Sequence, residues 1–289
     1  MFGFINLNKP VGPTSHDCVY AVRRLVGRHV KVGHAGTLDP FAEGVLVICL
    51  GHARRLAEYV QRQPKRYRAG IQLGATSSTD DCHGQITLAA AAQPPSLETV
   101  RGTLGQFVGE IHQIPPEHSA INVNVRRAYT LARAGKPVQL AARPVRIYEL
   151  GLIRYDYPLL EVEVHCGSGT YVRSLARDIG AALGVGGYCQ TLIRTQVGPF
   201  RVEQASAVSA IDIRRDLHAP LEALGLPVVR LDYEAIQNVL QGRRVPVDAV
   251  PDGNELAATD DLGRLLAIVR PEAYQGQWEL QPLKVFPLP

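Results

Sequence analysis

The chain reads KVGHAGTLDPFAEGVLVICL from Lys31 to Leu50, a glycine-rich polar loop followed by an uninterrupted apolar run. The apolar run Val45–Leu50 predicts a strand that is buried on both faces. The loop before it carries Asp39, and Pro40 biases that residue toward an extended backbone rather than a helical one. A carboxylate held in this way is either a nucleophile or base or a plain turn residue, the common role of Asp before Pro.

Hydrophobic spacing on both sides of this stretch changes between strand and helix periods. Every second residue from Tyr67 to Leu73 is apolar, which places these residues on one face of a strand. Strands joined partly by turns and partly by helices predict a mixed, mostly antiparallel sheet of the α+β class. The predicted helices cover 15–26, 53–62, 96–104, 126–134, 170–183 and 233–241, and further strands cover 105–113, 145–155, 159–166 and 190–197.

The length of 289 residues predicts about two domains. The stretch 220–227, with a proline at each end, is typical of a linker, so we expect a large domain over 1–229 and a small β-rich one over 230–289. No apolar run reaches the roughly 18 residues of a membrane span, and the N-terminus lacks a signal-peptide pattern. The five cysteines form no CxxC pair. A cytoplasmic protein without membrane association, disulfide framework or thiolate zinc site is expected.

The charge is unevenly distributed along the chain. Residues 230–289 hold 6 Lys and Arg against 9 Asp and Glu, whereas residues 1–229 hold 25 against 18, giving net charges of −3 and +7. Basic charge concentrated in one region is typical of a protein that binds a polyanion. A well-solvated surface is the alternative explanation.

Two further segments carry residues suited to an anion or a base. Residues 162–178 predict a strand, a glycine turn and a helix whose first turn holds Arg173 if Thr170 is the N-cap. A cation there opposes the helix dipole by up to about 1 kcal/mol unless an anion faces it, although a surface arginine reaching into water is the alternative. The run Lys65–Arg68 surrounds Tyr67 with basic residues, and that ring can stack on a base or pack in the core. Tyr67 can do both if the strand face that carries it lines a cleft.

Patterns of several other enzyme classes are missing from the sequence. There is no GxSxG elbow, no HExxH and no Rossmann glycine fingerprint, and the nine histidines lack ligand spacing, so neither a cofactor nor a metal is expected. A glycosidase with Asp39 and Glu43 as its carboxylate pair is an alternative. Pro40 and Gly44 make a helical pairing of those two carboxylates unfavourable.

Several motifs follow one another along nearly the whole chain. They are Gly3–Pro10 with Pro13-Thr14-Ser15, Lys31–Leu50 with its Gly-Thr-Leu-Asp-Pro core, Lys65–Arg68, Thr79–Gly84, Pro115-Pro116, Ser119-Ala120, Ala128–Arg133, Cys166–Arg173 and Leu192–Arg194. Together they closely resemble the bacterial tRNA pseudouridine synthase B family, whose members isomerise uridine in the T loop of tRNA. A set this specific, in the right order, is not a chance match.

The resemblance implies a pseudouridine-synthase α+β fold with a central cleft, an RNA-gripping insertion at about 115–145 and a small C-terminal PUA-like β-barrel. It implies conversion of uridine to pseudouridine at position 55 by base flipping, aspartate-dependent cleavage of the glycosidic bond and rejoining through carbon. The expected partner is the T-arm stem-loop of tRNA, with no cofactor and no obligate protein partner. A tRNA-folding role is compatible with this activity.

The resemblance also assigns residues, position by position. Asp39 matches the catalytic aspartate, Arg173 its ion-pair partner, and Tyr67 the tyrosine that stacks on the flipped base and is a candidate to receive the C5 proton. Asp39 must be ionised to act, and we expect Arg173 to hold its pKa down. The expected catalytic residues are Asp39, Tyr67 and Arg173, and the expected substrate-binding residues are Lys9, His34, Tyr67, Tyr171 and Leu192.

The sequence differs from the family pattern at two positions, and two other functions are alternatives. The family usually has Lys and Gly where this chain has Asn122 and Val125, which affects expected RNA contacts in the insertion. One rival is a guide-RNA-dependent pseudouridine synthase within a ribonucleoprotein, which the short C-terminal segment disfavours. The other is an RNA-binding protein with a vestigial site, which the intact set of Asp39, Tyr67 and Arg173 disfavours.

Overall fold

A computed structural model describes residues 1–89, 93–116, 140–274 and 276–287, together with the backbone of 122–123 and 126–127. The strands are β1 Gly3–Lys9, β2 Val32–His34, β3 Glu43–Leu50, β4 Lys65–Leu73, β5 Ala75–Ser77, β6 Ile86–Leu88, β7 Gly109–Gln113, β8 Asn122–Val123, β9 Arg126–Arg127, β10 Arg143–Asp156, β11 Leu159–Cys166, β12 Gly187–Val197, β13 Phe200–Arg201, β14 Ser206–Ala207, β15 Leu217–His218, β16 Val228–Arg230, β17 Val245–Val247, β18 Leu256–Thr259, β19 Leu265–Tyr274 and β20 Gln277–Val285. The α-helices are α1 Ser15–Val26, α2 Ala57–Arg62, α3 Leu97–Gly105, α4 Val172–Ala182, α5 Ile213–Asp216 and α6 Tyr233–Leu240.

One large mixed sheet dominates the fold, which confirms the predicted α+β class. Among the described residues it has eleven strands, and its main path runs β14-β1-β3-β12-β4-β11-β10-β7. The pairs β1–β14 and β3–β12 are parallel, and the other pairs in this sheet are antiparallel. The strand predicted from Val45 to Leu50 lies inside the sheet as β3.

Burial of β3 explains its continuous apolar sequence. Alternate side chains of a strand point to opposite faces. Val45, Val47 and Cys49 pack into one core cluster, whereas Leu46, Ile48 and Leu50 pack into another with α1. Both faces of β3 are therefore covered, and its position fixes the loop that precedes it.

The helix starts differ slightly from the predicted ones. Thr14, not Ser15, caps α1 through a capping box with Asp17. Tyr171, not Thr170, is the N-cap of α4, and it makes no side-chain cap hydrogen bond. The hydroxyl of Thr170 instead donates to the carbonyl of Gly167 at 3.1 Å. Arg173 still lies in the first turn of α4.

Two other predicted segments have different outcomes. The strand predicted from residue 105 begins at Gly109, because Gly105 ends α3. The helix predicted over 126–134 lies mostly outside the described residues, and 126–127 form the short strand β9.

The C-terminal segment forms a separate five-stranded sheet in the order β16-β18-β19-β20-β17. The segment 220–227, predicted to be a linker, is partly buried, since Ala223 and Leu224 lie in the core cluster that also holds Phe4 of β1. Ile268 of β19 and Phe286, the residue after β20, belong to the same cluster. The two regions therefore share a hydrophobic core.

Candidate active site

Asp39 lies in the loop that joins β2 to β3, and elements from several parts of the chain hold this loop. The Ser15 hydroxyl accepts from the Leu38 N–H at 2.8 Å and donates to the Leu38 carbonyl at 2.9 Å. The Gly12 N–H donates to the Pro40 carbonyl at 2.8 Å. The main chain on both sides of Asp39 is thus fixed.

Arg194 of β12 links the same loop to β3. Its guanidinium donates to the carbonyls of Val45, Thr37 and Gly36 at 2.7, 3.2 and 3.2 Å. The main chains of Gly44 and Arg194 are also in close contact, because a Cβ at Gly44 would collide with the Arg194 carbonyl. Arg194 therefore belongs to the framework of the site.

Arg173 lies opposite Asp39 and is only 4% exposed. Its Nε is 3.0 Å from Asp39 Oδ2, and its Nη1 is 3.0 Å from Asp81 Oδ2. Nη1 also donates to the Thr79 carbonyl at 3.1 Å. One buried guanidinium thus bridges two carboxylates, and the structure brings together the residues expected to form the catalytic pair.

Opposing influences act on the pKa of Asp39. Burial is the largest and raises this pKa, although a third of the side chain, 33%, remains exposed. The positive charge of Arg173 is the main influence that lowers it, and the negative charge of Asp81 raises it. Arg194 and Lys9 also lower it. Arg173 therefore acts in the expected direction, but burial outweighs it.

A cavity of about 460 Å³ opens beside Asp39. Tyr67, Tyr171, Leu192 and Arg173 line it, so four of the expected side chains surround one space with Asp39. Tyr67 is 8% exposed, and burial raises the pKa of its hydroxyl to about 12. The cavity thus combines two aromatic rings, an aliphatic side chain and an ion pair.

Lys65 also lines this cavity, although no role was predicted for it. Its ammonium donates to the carbonyls of Gln61 and Gln63, the latter at 2.6 Å. Burial lowers the pKa of Lys65 to about 8. Its position adds positive charge to the cavity wall.

Lys9 and His34 do not line the cavity. Lys9 is 0% exposed, and its ammonium donates to the carbonyls of Pro10, Pro13 and Pro40 at 2.7, 2.8 and 3.4 Å. In the structure Lys9 is a structural tie to the Asp39 loop, and the expected contact between Lys9 and substrate stays a prediction. His34 lies on β2, where it pairs with Ile48 of β3.

The sequence did not assign a role to Asp81 or Gln113. Asp81 belongs to the Thr79–Gly84 motif, so the motif marked the segment without showing its ion pair with Arg173. Gln113 binds the main chain of Tyr171, a residue 58 positions away. No local pattern predicts a contact over that separation.

Within the described part of the chain, no group of three or more His, Cys, Asp or Glu side chains is placed to hold a metal ion. None of the helices described is both long enough and apolar enough to cross a membrane.

The ionisable groups around the cavity are those of Asp39, Asp81, Lys65, Tyr67, Tyr171, Arg173 and Arg194.

Comparison with known families gives two matches. The profile described as TruB family pseudouridylate synthase (N terminal domain) matches residues 23–172, and the tRNA pseudouridylate synthase B C-terminal domain matches residues 173–224. The chain is 43% identical over 277 residues to the tRNA pseudouridine synthase B of Mycobacterium tuberculosis, covering 93% of this chain and 92% of that protein. It is 41% identical over 294 residues to that of Thermobifida fusca, covering 98% of each.

Solved structures show the same similarity at lower identity. An H/ACA RNP bound to a substrate RNA containing 2′-deoxyuridine matches with a TM-score of 0.76 and 25% identity, covering 99% of this chain and 86% of that chain. A Cbf5-Nop10-Gar1 complex matches with a TM-score of 0.76 and 26% identity, covering 98% of this chain and 84% of that chain.

Proposed function

The chain belongs to the TruB family of tRNA pseudouridine synthases, and on that premise we propose that it converts uridine to pseudouridine at position 55 in the T loop. Family membership makes it an isomerase that binds and modifies tRNA. The position and the residue roles below are the proposal. We assign catalysis to Asp39 and Arg173.

The observation that carries the proposal is a carboxylate held at a cavity wall against a buried guanidinium. Asp39 and Arg173 are 3.0 Å apart, and Asp39 keeps exposed surface. A turn residue would not need a buried counter-ion from a distant helix. The pairing therefore favours a reactive carboxylate over the structural interpretation of Asp before Pro.

The cavity suits a base that has left its stack. Extruding a nucleotide costs a few kcal/mol, and stacking on an aromatic side chain contributes about 1–3 kcal/mol per base. Tyr67 and Tyr171 supply rings, and Leu192 adds an apolar contact. The +7 charge of residues 1–229 favours phosphate contacts that offset the remaining cost.

The reaction breaks the bond from N1 of uracil to C1′, turns the base and forms a bond from C5 to C1′. C5 then loses a proton and N1 gains one, so the net change is an isomerisation without redox equivalents or ATP. Asp39 must be ionised whether it bonds to C1′, adds to the base or removes a sugar proton. Arg173, Arg194 and Lys9 favour that ionised form against the effect of burial.

Tyr67 is best suited to stacking. With its pKa raised to about 12, its hydroxyl stays protonated at neutral pH. It can accept the C5 proton only while it gives up its own. We therefore assign Tyr67 first to holding the flipped base, with proton transfer as a secondary role.

We further propose that residues 1–229 form the catalytic region and that residues 230–289 form an RNA-binding region. We also propose that the protein acts in the cytoplasm and modifies tRNA without a guide RNA or a partner protein. The higher identity to enzymes named tRNA pseudouridine synthase B than to the Cbf5 complexes supports this view over guide-RNA dependence. The aspartate and arginine pair supports catalysis over a vestigial site.

The test is incubation of the protein alone with an unmodified tRNA transcript, followed by base-resolution mapping of pseudouridine. The proposal predicts one modified position, in the T loop. Transcripts with cytidine at position 55 and protein carrying Asp39→Asn serve as controls. Modification elsewhere, or only after addition of a guide RNA, would refute the proposal.

A further inference from the structure

Gln113, at the end of β7, binds the main chain of Tyr171 through both ends of its amide. Its Nε2 donates to the Tyr171 carbonyl at 3.0 Å, and its Oε1 accepts from the Tyr171 N–H at 2.8 Å. Gln113 is 1% exposed. A side-chain amide can donate and accept at once, which satisfies both groups of a residue in a buried setting.

Tyr171 is a position where such support matters. It is the N-cap of α4, and no side chain caps this helix in the usual way. The first N–H groups of a helix lack intrahelical partners, and the N-cap side chain normally accepts from one of them. Gln113 of β7 does not replace that bond, but it fixes the main chain of the N-cap residue itself.

Neighbouring contacts extend the attachment along the first turns of α4. The Ile114 carbonyl accepts from the Ser174 hydroxyl at 2.9 Å and from Arg177 Nη2 at 3.0 Å. Together with the Tyr171 contacts, they lie on both sides of Arg173 in sequence. The end of β7 therefore determines where the start of α4 lies.

The ion pair depends on where that helix start lies. Arg173 Nε is 3.0 Å from Asp39 Oδ2, and the attraction between two charges falls as their separation grows. A shift of less than 1 Å would weaken the pair and move the Tyr171 ring in the cavity wall. Gln113 itself does not line the cavity.

We propose that Gln113 is a positioning residue, which sets Tyr171 in the cavity wall and Arg173 against Asp39. This inference rests on the proposed roles of Asp39 and Arg173 and adds the residue that aligns them. Loss of the amide should slow the chemical step without a matching loss of RNA affinity. A residue with only a structural role would lower stability and leave the chemistry of the folded protein unchanged.

The first experiment compares Gln113→Met with Gln63→Met in the full chain. Gln63 is a matched control, because its amide donates to the Leu224 carbonyl at 2.9 Å, away from α4. We expect Gln113→Met to lower the single-turnover rate at saturating T-arm RNA at least tenfold, with Kd within about threefold of wild type. A rate within threefold of wild type, or a Kd weakened as much as the rate, would overturn the proposal.

A second variant provides a conservative rescue. Glu at position 113 can accept from the Tyr171 N–H and donate to its carbonyl only when protonated. The ratio of the Gln113→Glu rate to the Gln113→Met rate should therefore rise as the pH falls. The charged side chains close to Gln113 are Arg143, its partner across β7 and β10, and Arg177, which binds the next carbonyl along the chain. A ratio independent of pH would contradict the proposed hydrogen bonds.

An activity-independent measurement separates this inference from the proposed function. Carboxyl NMR titration of Asp39 should show a higher pKa in Gln113→Met than in wild type and no change in Gln63→Met. The charged groups that influence Asp39 are Arg173, Asp81, Arg194 and Lys9. If wild type fails to modify the T loop, the proposed function falls and the titration still decides the positioning role. An unchanged Asp39 pKa overturns the inference alone.

Discussion

Replacing Arg173 by methionine removes the charge that joins Asp39 and Asp81 and keeps most of the side-chain length. Each carboxylate loses a guanidinium nitrogen at 3.0 Å. An opposite charge at this distance lowers a carboxyl pKa, so its loss should raise the pKa of Asp39 further. Breaking a buried ion pair costs about 3–5 kcal/mol of stability. Because Asp39 is 33% exposed, we expect the lower end, roughly 3 kcal/mol.

Activity and stability of this variant should depend on pH in opposite directions. If only ionised Asp39 acts, activity below its pKa rises up to tenfold per pH unit, and the variant should keep rising where wild type is already flat. Burial already raises the folded-state pKa of Asp39 above its ordinary value, and loss of Arg173 raises it further. The folded protein then binds the proton more tightly than the unfolded chain, so this contribution to stability is present at low pH and lost as pH rises through the folded-state pKa.

The assay is single-turnover conversion of saturating T-arm RNA from about pH 5 to pH 9, with thermal unfolding measured at the same pH values. Arg244→Met is the control, because Arg244 pairs with Glu272 of the C-terminal sheet at 2.9 Å and contacts neither α4 nor Asp39. Its pH profile should keep the wild-type shape. A fully active Arg173→Met protein with an unchanged pH profile would show that Arg173 and Asp39 do not act as a pair.

Three further outcomes follow from the same structure. Asp39→Asn should bind T-arm RNA with near wild-type affinity and lose turnover, and a rate within tenfold of wild type would restore the turn-residue interpretation. RNA affinity, measured by filter binding, should fall with salt by about 0.7–0.9 in log K per neutralised phosphate, and a salt-independent affinity would assign binding to stacking instead. Truncation after Pro227 should weaken RNA binding and also lower Tm, because it removes Ile268 and Phe286 from the shared core; if the folded truncation loses its saturated rate, the C-terminal region contributes to the chemistry.

The sequence predicted those parts of the fold that local patterns determine. The apolar run at 45–50 and the alternation from Tyr67 became β3 and β4, because hydrophobic periodicity reflects the faces that a strand buries. Helix ends were less exact. Thr14 takes the cap of α1 and leaves the Ser15 hydroxyl to bind Leu38, a tertiary contact that no local pattern reports.

The parts that sequence patterns did not predict depend on contacts between distant segments. The sequence predicted a substrate contact for Lys9 but not the three carbonyls that accept from its ammonium and tie it to the Asp39 loop. The stretch from Pro220 to Pro227 has linker composition, yet Ala223 and Leu224 are buried because the C-terminal sheet packs on the same core. Composition indicates solubility and turn preference. The hydrogen bonds of Lys9 and the burial of Ala223 and Leu224 depend instead on which distant segments pack against them in the folded protein.

Asp39 lies in an environment where burial and nearby cations act against each other. A fully solvated carboxylate would be ionised without help, but water would also screen its charge toward a substrate. Here burial raises the pKa of Asp39, and Arg173, Arg194 and Lys9 lower it from three separate elements, α4, β12 and β1. The cations that favour the ionised form of Asp39 are therefore brought to it by the folding of three separate elements. A disturbance at the start of α4 reaches Asp39 through Arg173, which is why we expect Gln113, in contact with neither the cavity nor Asp39, to influence the reaction.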